Sequence, residues 1–215
     1  MRRTDLVIFD CDGTLIDSER PANRVLAEYL GEYGLALTPA ESEARFRGKH
    51  LALLADELAA EGVSLPEDWL DEYHLRTMAA FETELELIPH ALETVEAMAF
   101  LGIGTCVASQ SSIDYLQLVL EQTGLWTKFQ GRVFSASMVR RGKPHPDLFL
   151  HAAQVMRVGF DRCVVVEDSP TGITAAIAAG MRCLALTGAV DADTVKTLGA
   201  EPIESLMEVP WAVMG

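Results

Sequence analysis

Short apolar runs punctuate the chain at Leu6-Val7-Ile8-Phe9, from Ile103 to Ala108, from Cys163 to Val166 and from Cys183 to Leu186, with a weaker run at Arg132-Val133-Phe134. Runs of this kind, without polar alternation, suit parallel strands buried on both faces of a sheet. Between them, apolar positions recur at helical spacing over about 89–101, 112–123, 145–157 and 171–179. Strand–helix alternation predicts an α/β fold, a doubly wound Rossmann-like parallel sheet.

The stretch from 17 to 87 breaks that alternation. Helical patterns occupy about 19–33, 40–46, 51–61 and 67–82, and no strand pattern separates them. The expected organisation is therefore an α/β core of 1–16 and 88–215 with an all-helical cap, 17–87, inserted after the first strand. The hinges are expected near Leu15–Ser18 and Leu85–Pro89.

Open α/β sheets bind ligands beyond the carboxyl ends of their strands. There this chain places Asp10 and Asp12, Ser109, and Glu167 with Asp168, while Lys143 follows the weaker run. Asp10-Cys11-Asp12-Gly13-Thr14 offers two carboxylates one residue apart. One suits a nucleophile attacking phosphorus and the other an acid/base for the leaving oxygen and then for water. Gly13 permits a tight turn beside them. A calcium loop is excluded, because the sixth and twelfth positions from Asp10 are Leu15 and Pro21 rather than Gly and Glu.

Asp168, with Asp10, supplies the carboxylates a magnesium ion takes alongside waters and phosphate oxygens. Glu167 is either a further ligand or a support behind them, and Ser169-Pro170 also makes a good helix start. Lys143, held between Gly142 and Pro144, offers a cation for a phosphoryl group, and Ser109 a hydrogen-bond donor.

Charge sharpens this picture. The 215 residues carry a net charge of −15, which speaks against a nucleic-acid partner and requires locally concentrated positive charge at any phosphate site. Hydrophobic residues make up 49% and charged residues 23%, ordinary for a globular chain. The first apolar run is too short for a secretory or membrane segment. Cys11, Cys106, Cys163 and Cys183 stand singly in or beside apolar runs, so they are expected to be buried free thiols in a reducing compartment, the cytoplasm. No dedicated interface is evident, and a monomer is expected.

The order of the pieces carries the strongest inference. Asp-x-Asp-Gly-Thr, then Ser after a strand, then Gly-Lys-Pro-x-Pro-Asp, then Glu-Asp-Ser before a helix resembles the haloacid dehalogenase-like hydrolases, over essentially the whole chain. The subgroup with a helical cap after the first strand fits best. The resemblance implies Asp10 as phosphorylated nucleophile and Asp12 as acid/base. It implies Ser109 and Lys143 as phosphoryl ligands, and a Mg2+ site of Asp10, the Asp12 backbone oxygen and Asp168.

Members of the family that are dehalogenases lack the second aspartate, so Asp12 points to phosphoryl chemistry. In the cap, Phe46-Arg47-Gly48-Lys49 is similar to a basic element of sugar-phosphate enzymes. Arg47, Gly48 and Lys49 are therefore expected to bind substrate, together with Gln110, which stands where Asn is common in the family.

The expected reaction is hydrolysis of a small phosphorylated metabolite, such as a sugar phosphate or phosphogluconate. A β-phosphoglucomutase-type reaction and phosphoglycolate hydrolysis stay open. The absence of histidine from Glu19-Arg20-Pro21-Ala22-Asn23, and Thr14 in place of Val, favour the phosphatase over the mutase. A silent binding protein on this scaffold would be expected to have lost a core residue, and all are present.

Overall fold

In the computed structural model of the chain, which describes residues 3–46, 49 and 51–215, the first apolar run is strand β1, Leu6–Phe9, with all four side chains fully buried. Leu6 and Ile8 join an apolar cluster with Phe149, Ala152 and Ile173. Phe9, on the opposite face by strand alternation, meets Phe129 edge-on with ring centroids 6.3 Å apart. Each large side chain so buried contributes about 1.5–3 kcal/mol, which fixes β1 at the centre of the sheet.

The other strands are β2 (Ile16–Asp17), β3 (Glu86–Leu87), β4 (Gly104–Ser109), β5 (Val133–Ser135), β6 (Cys163–Glu167), β7 (Arg182–Leu186) and β8 (Glu201–Ile203). The α-helices among the described residues begin with α1 (Glu19–Glu32), α2 (Pro39–Phe46), α3 (Leu54–Ala60), α4 (Trp69–Glu84) and α5 (Ala91–Phe100). They continue with α6 (Ile113–Gln122), α7 (Trp126–Phe129), α8 (Asp147–Val155), α9 (Pro170–Ala178), α10 (Ala192–Thr197) and α11 (Val209–Met214).

Six strands form one parallel sheet in the order β5-β4-β1-β6-β7-β8. This is the doubly wound order, and the winding direction reverses between β1 and β6. The crevice at that reversal lies beyond Phe9 and Glu167, so Asp10 and Asp168 start the loops that border it.

The four long core helices fall within two residues of their expected ends. The structure adds α7, α10, α11 and β8, which carry too few residues for a periodic signal. It also corrects the expectation of no strand near the helical segment, since β2 and β3 pair as a two-residue ribbon. Two residues cannot show alternation, and only the partner defines them.

Residues up to Ile16 and Leu87–Gly215 form one compact unit, and Asp17–Glu86 a second. The second unit is helical, built on Val25, Leu26, Tyr29, Leu30, Leu54, Leu58, Trp69 and Tyr73. Arg24 clamps α1 to α4, donating from Nε and Nη2 to the two carboxylate oxygens of Glu84 at 2.9 and 2.7 Å. No helix among the described residues is long and apolar enough to cross a membrane. All four cysteines are buried free thiols.

Candidate active site

The backbone leaves β1 with the Asp10 N–H donating to the Val166 carbonyl at 2.9 Å, one last rung shared with β6. It then turns tightly, because the Cys11 carbonyl accepts from the N–H groups of Thr14, Leu15 and Ile16. Gly13 carries this turn at φ +77°, and a Cβ there would lie 2.2 Å from Asp168 Oδ2. Only glycine allows both the left-handed backbone and the approach of that carboxylate. From the same turn, Thr14 Oγ1 donates to Asp168 Oδ1 at 3.1 Å.

Lys143 reaches in from the loop before α8. Its Nζ donates to Asp10 Oδ1 and to Glu167 Oε1, both at 2.6 Å, with all three side chains at most 10% exposed. The ammonium also lies 5.1 Å from the Phe149 ring centroid. Gln110 fixes this loop: its side-chain carbonyl accepts from the Lys143 backbone N–H at 3.0 Å.

Glu167 is occupied on both oxygens. Its Oε2 accepts from the N–H groups of Asp168 and Ser169 and from Ser169 Oγ, each at 2.9 Å. Those donors belong to the start of α9, where Ser169 is the cap and Pro170 the first helical residue. Gly172 makes room, since a Cβ there would sit 1.6 Å from Glu167 Oε1.

Burial pushes the Asp10 carboxyl up to about 7, with Lys143 opposing and Glu167 adding to the rise. Burial alone would lower Lys143, but Asp10 and Glu167 outweigh it and hold the ammonium well above its usual range. The Cys11 thiol is pushed up by burial and by the flanking aspartates, which makes it a poor nucleophile despite its position.

Asp10, Glu167 and Asp168 each offer a carboxylate oxygen, all within 4.8 Å of one another. Three converging buried carboxylates with one lysine leave an excess of negative charge, and oxygen donors of this kind fit a hard divalent cation. The Asp12 carboxylate stands outside that cluster. Its Oδ1 accepts from the Tyr115 hydroxyl at 2.6 Å and its Oδ2 from Ser111 Oγ at 3.0 Å. Ser109, fully buried at the end of β4, accepts from the Ser111 N–H at 3.2 Å.

The sheet edge thus brings together Asp10, Lys143, Glu167 and Asp168, with Ser109 at the end of β4 and Thr14, Asp12 and Gln110 in the adjoining loops. Lys49 lies in the helical unit, exposed and donating to Glu57 Oε2 at 2.6 Å. Arg47 and Gly48 lie outside the described residues.

Sequence reading missed Tyr115, Ser111 and the support that Gly172 gives Glu167. Tyr115 carries no motif signal. Gly172 does carry one: a glycine in a helix costs up to ~1 kcal/mol against alanine, which hints at a close approach.

A strand-end aspartate paired with a buried lysine, beside further carboxylates at the reversal of a doubly wound sheet, is equipment for phosphoryl transfer, and comparison with known proteins agrees. A haloacid dehalogenase-like hydrolase family model matches residues 4–180. The chain belongs to that family and is an enzyme of its phosphatase class.

Among its relatives is the 6-phosphogluconate phosphatase of Escherichia coli (strain K12), 34% identical over 183 residues, 84% of this chain and 81% of that protein. Hexitol phosphatase A of the same organism is 31% identical over 86% of this chain and 83% of its own length. A solved HAD family hydrolase from Deinococcus radiodurans R1, with bound phosphate and sodium, superposes at a TM-score of 0.88. It is 34% identical, and the match covers 98% of this chain and 95% of that one.

Proposed function

We propose that this phosphatase hydrolyses a small sugar phosphate or phosphorylated sugar acid in two steps through an aspartyl-phosphate on Asp10, with Mg2+. The observation that carries the reading is the buried pairing of Asp10 with Lys143 at 2.6 Å beside Glu167 and Asp168.

In the first step an Asp10 carboxylate oxygen forms a bond to phosphorus, the bond from phosphorus to the substrate oxygen breaks, and Asp12 gives that oxygen its proton. In the second, water attacks phosphorus, Asp12 takes the water's proton, and Asp10 leaves as the carboxylate. Lys143 and Ser109 bind the transferring group, and the ammonium offsets repulsion between it and Asp10. Glu167, held by the start of α9, keeps Lys143 in place. Asp10, the Asp12 backbone carbonyl and Asp168 would hold the metal, which supplies neutralising charge to the phosphoryl oxygens when bound.

The helical unit, including Arg47, Gly48 and Lys49, is assigned substrate selection, because the core groups serve any phosphate monoester. Four buried thiols support a reducing compartment as the site of action.

Phosphate release from a panel tests the reading: 6-phosphogluconate, hexitol phosphates, hexose 1- and 6-phosphates, phosphoglycolate and nucleotides, with and without Mg2+. Release that needs Mg2+ and disappears in Asp10→Asn is expected. Conversion of β-glucose 1-phosphate to the 6-phosphate, with no phosphate released from any compound, would replace the phosphatase with a mutase.

A further inference from the structure

We propose that Tyr115 is a positioning residue for Asp12 and so for proton transfer to the leaving oxygen; this rests on the reading of Asp12 as the acid/base. The Tyr115 hydroxyl meets Asp12 Oδ1 at 2.6 Å while Ser111 Oγ meets Oδ2 at 3.0 Å. A short contact from a phenol to a carboxylate is a strong, charge-assisted hydrogen bond. Tyr115 is half-buried, and its hydroxyl is turned toward Asp12 in a part-buried contact.

That frame is rigid. Ser112 caps α6 and accepts from the Tyr115 backbone N–H. Ser135 Oγ, at the end of β5, donates to the Ser111 carbonyl at 2.7 Å, and the Ser111 N–H donates to Ser109 Oγ. Leu116, Val119 and Leu120 bury the inner face of α6. Two strand ends and a helix start therefore hold both donors, as a catalytic acid needs of its supports. The hydroxyls of Tyr115 and Ser111 accept as well as donate, so they orient Asp12 both as the protonated acid of the first step and as the carboxylate that then takes the proton of water.

Such a role has a signature that general loosening lacks. The ratio kcat/KM reports steps up to the first irreversible one, here formation of the aspartyl-phosphate. An alkoxide leaving from a sugar phosphate needs the proton of Asp12, whereas p-nitrophenolate leaves without it. Tyr115→Phe is expected to lower kcat/KM about tenfold for the best sugar phosphate of the panel and less than twofold for p-nitrophenyl phosphate, with the thermal midpoint and Mg2+ dependence unchanged. Ser111→Ala, which removes the other donor, is expected to show the same selectivity, and Asp12→Asn a larger version of it.

Equal losses on both substrates, or none, in Tyr115→Phe and Ser111→Ala while Asp12→Asn stays selective would overturn the positioning role alone. An Asp12→Asn without selectivity would remove the acid/base reading and the proposal with it.

Discussion

Replacing Gly172 with alanine sets two physical effects against each other. Intrinsic helix propensity says the substitution in α9 should stabilise by up to ~1 kcal/mol. The geometry says the opposite, because the new Cβ would lie 1.6 Å from Glu167 Oε1 and 1.9 Å from its carboxyl carbon. A glutamate at the surface would swing aside at little cost. Glu167 is fully buried, bonded to Lys143 through one oxygen and to three donors through the other. Displacing it forfeits at least two hydrogen bonds to a charged group, at about 1.5–3 kcal/mol each.

Loss outweighs gain, and a net destabilisation of about 3 kcal/mol is expected. For a chain of this size that is a fall of roughly 6–12 °C in Tm. Urea and thermal unfolding of Gly172→Ala beside the parent measure it, and turnover should fall too, since Lys143 loses the partner that holds it. A variant as stable as the parent, or more stable, would refute the claim that the Glu167 network is rigid and matters energetically.

Two further outcomes follow from the same cluster. Because Asp10 is held at about 7 against 3.8, its contribution to stability is complete below 3.8 and lost as pH rises through about 7. In chelator, the parent should therefore lose thermal stability relative to Asp10→Asn between about pH 4 and pH 8, and parallel curves would contradict the burial of that carboxyl. Mg2+ at ~100 times its Kd should add about 2.7 kcal/mol to the parent and far less to Asp168→Asn, read as the shift in Tm; equal shifts would place the ion elsewhere.

The central strands were legible because burial on both faces writes itself as unbroken apolar runs, as at Leu6–Phe9 and Cys163–Val166. Strand β8 was not: Glu201-Pro202-Ile203 has a proline and an exposed glutamate, tolerated because it lies at the sheet edge. Helices α7, α10 and α11 are too short to repeat a period.

At the site, Asp10, Lys143 and Asp168 stood out because each ends or follows an apolar run in a recognisable motif. Sequence alone left Glu167 between ligand and support, since that depends on which donors reach it. The hydrogen bonds from Asp168, Ser169 and Lys143 are consistent with support, and its place in the carboxylate cluster leaves it near the metal. Tyr115 and Asp12 are brought together only by the fold, and no local pattern announces such a pair.

Nucleophilic catalysis by Asp10 is tested most directly by finding the phosphoryl group on the enzyme. The protein would be mixed with its best substrate and Mg2+, quenched in acid within a turnover, digested and analysed by mass spectrometry. A phosphoryl group is expected on the peptide containing Asp10, localised to that residue and absent from Asp10→Asn. Phosphate release with Asp10 unmodified, and an Asp10→Asn variant that still turns over, would contradict it.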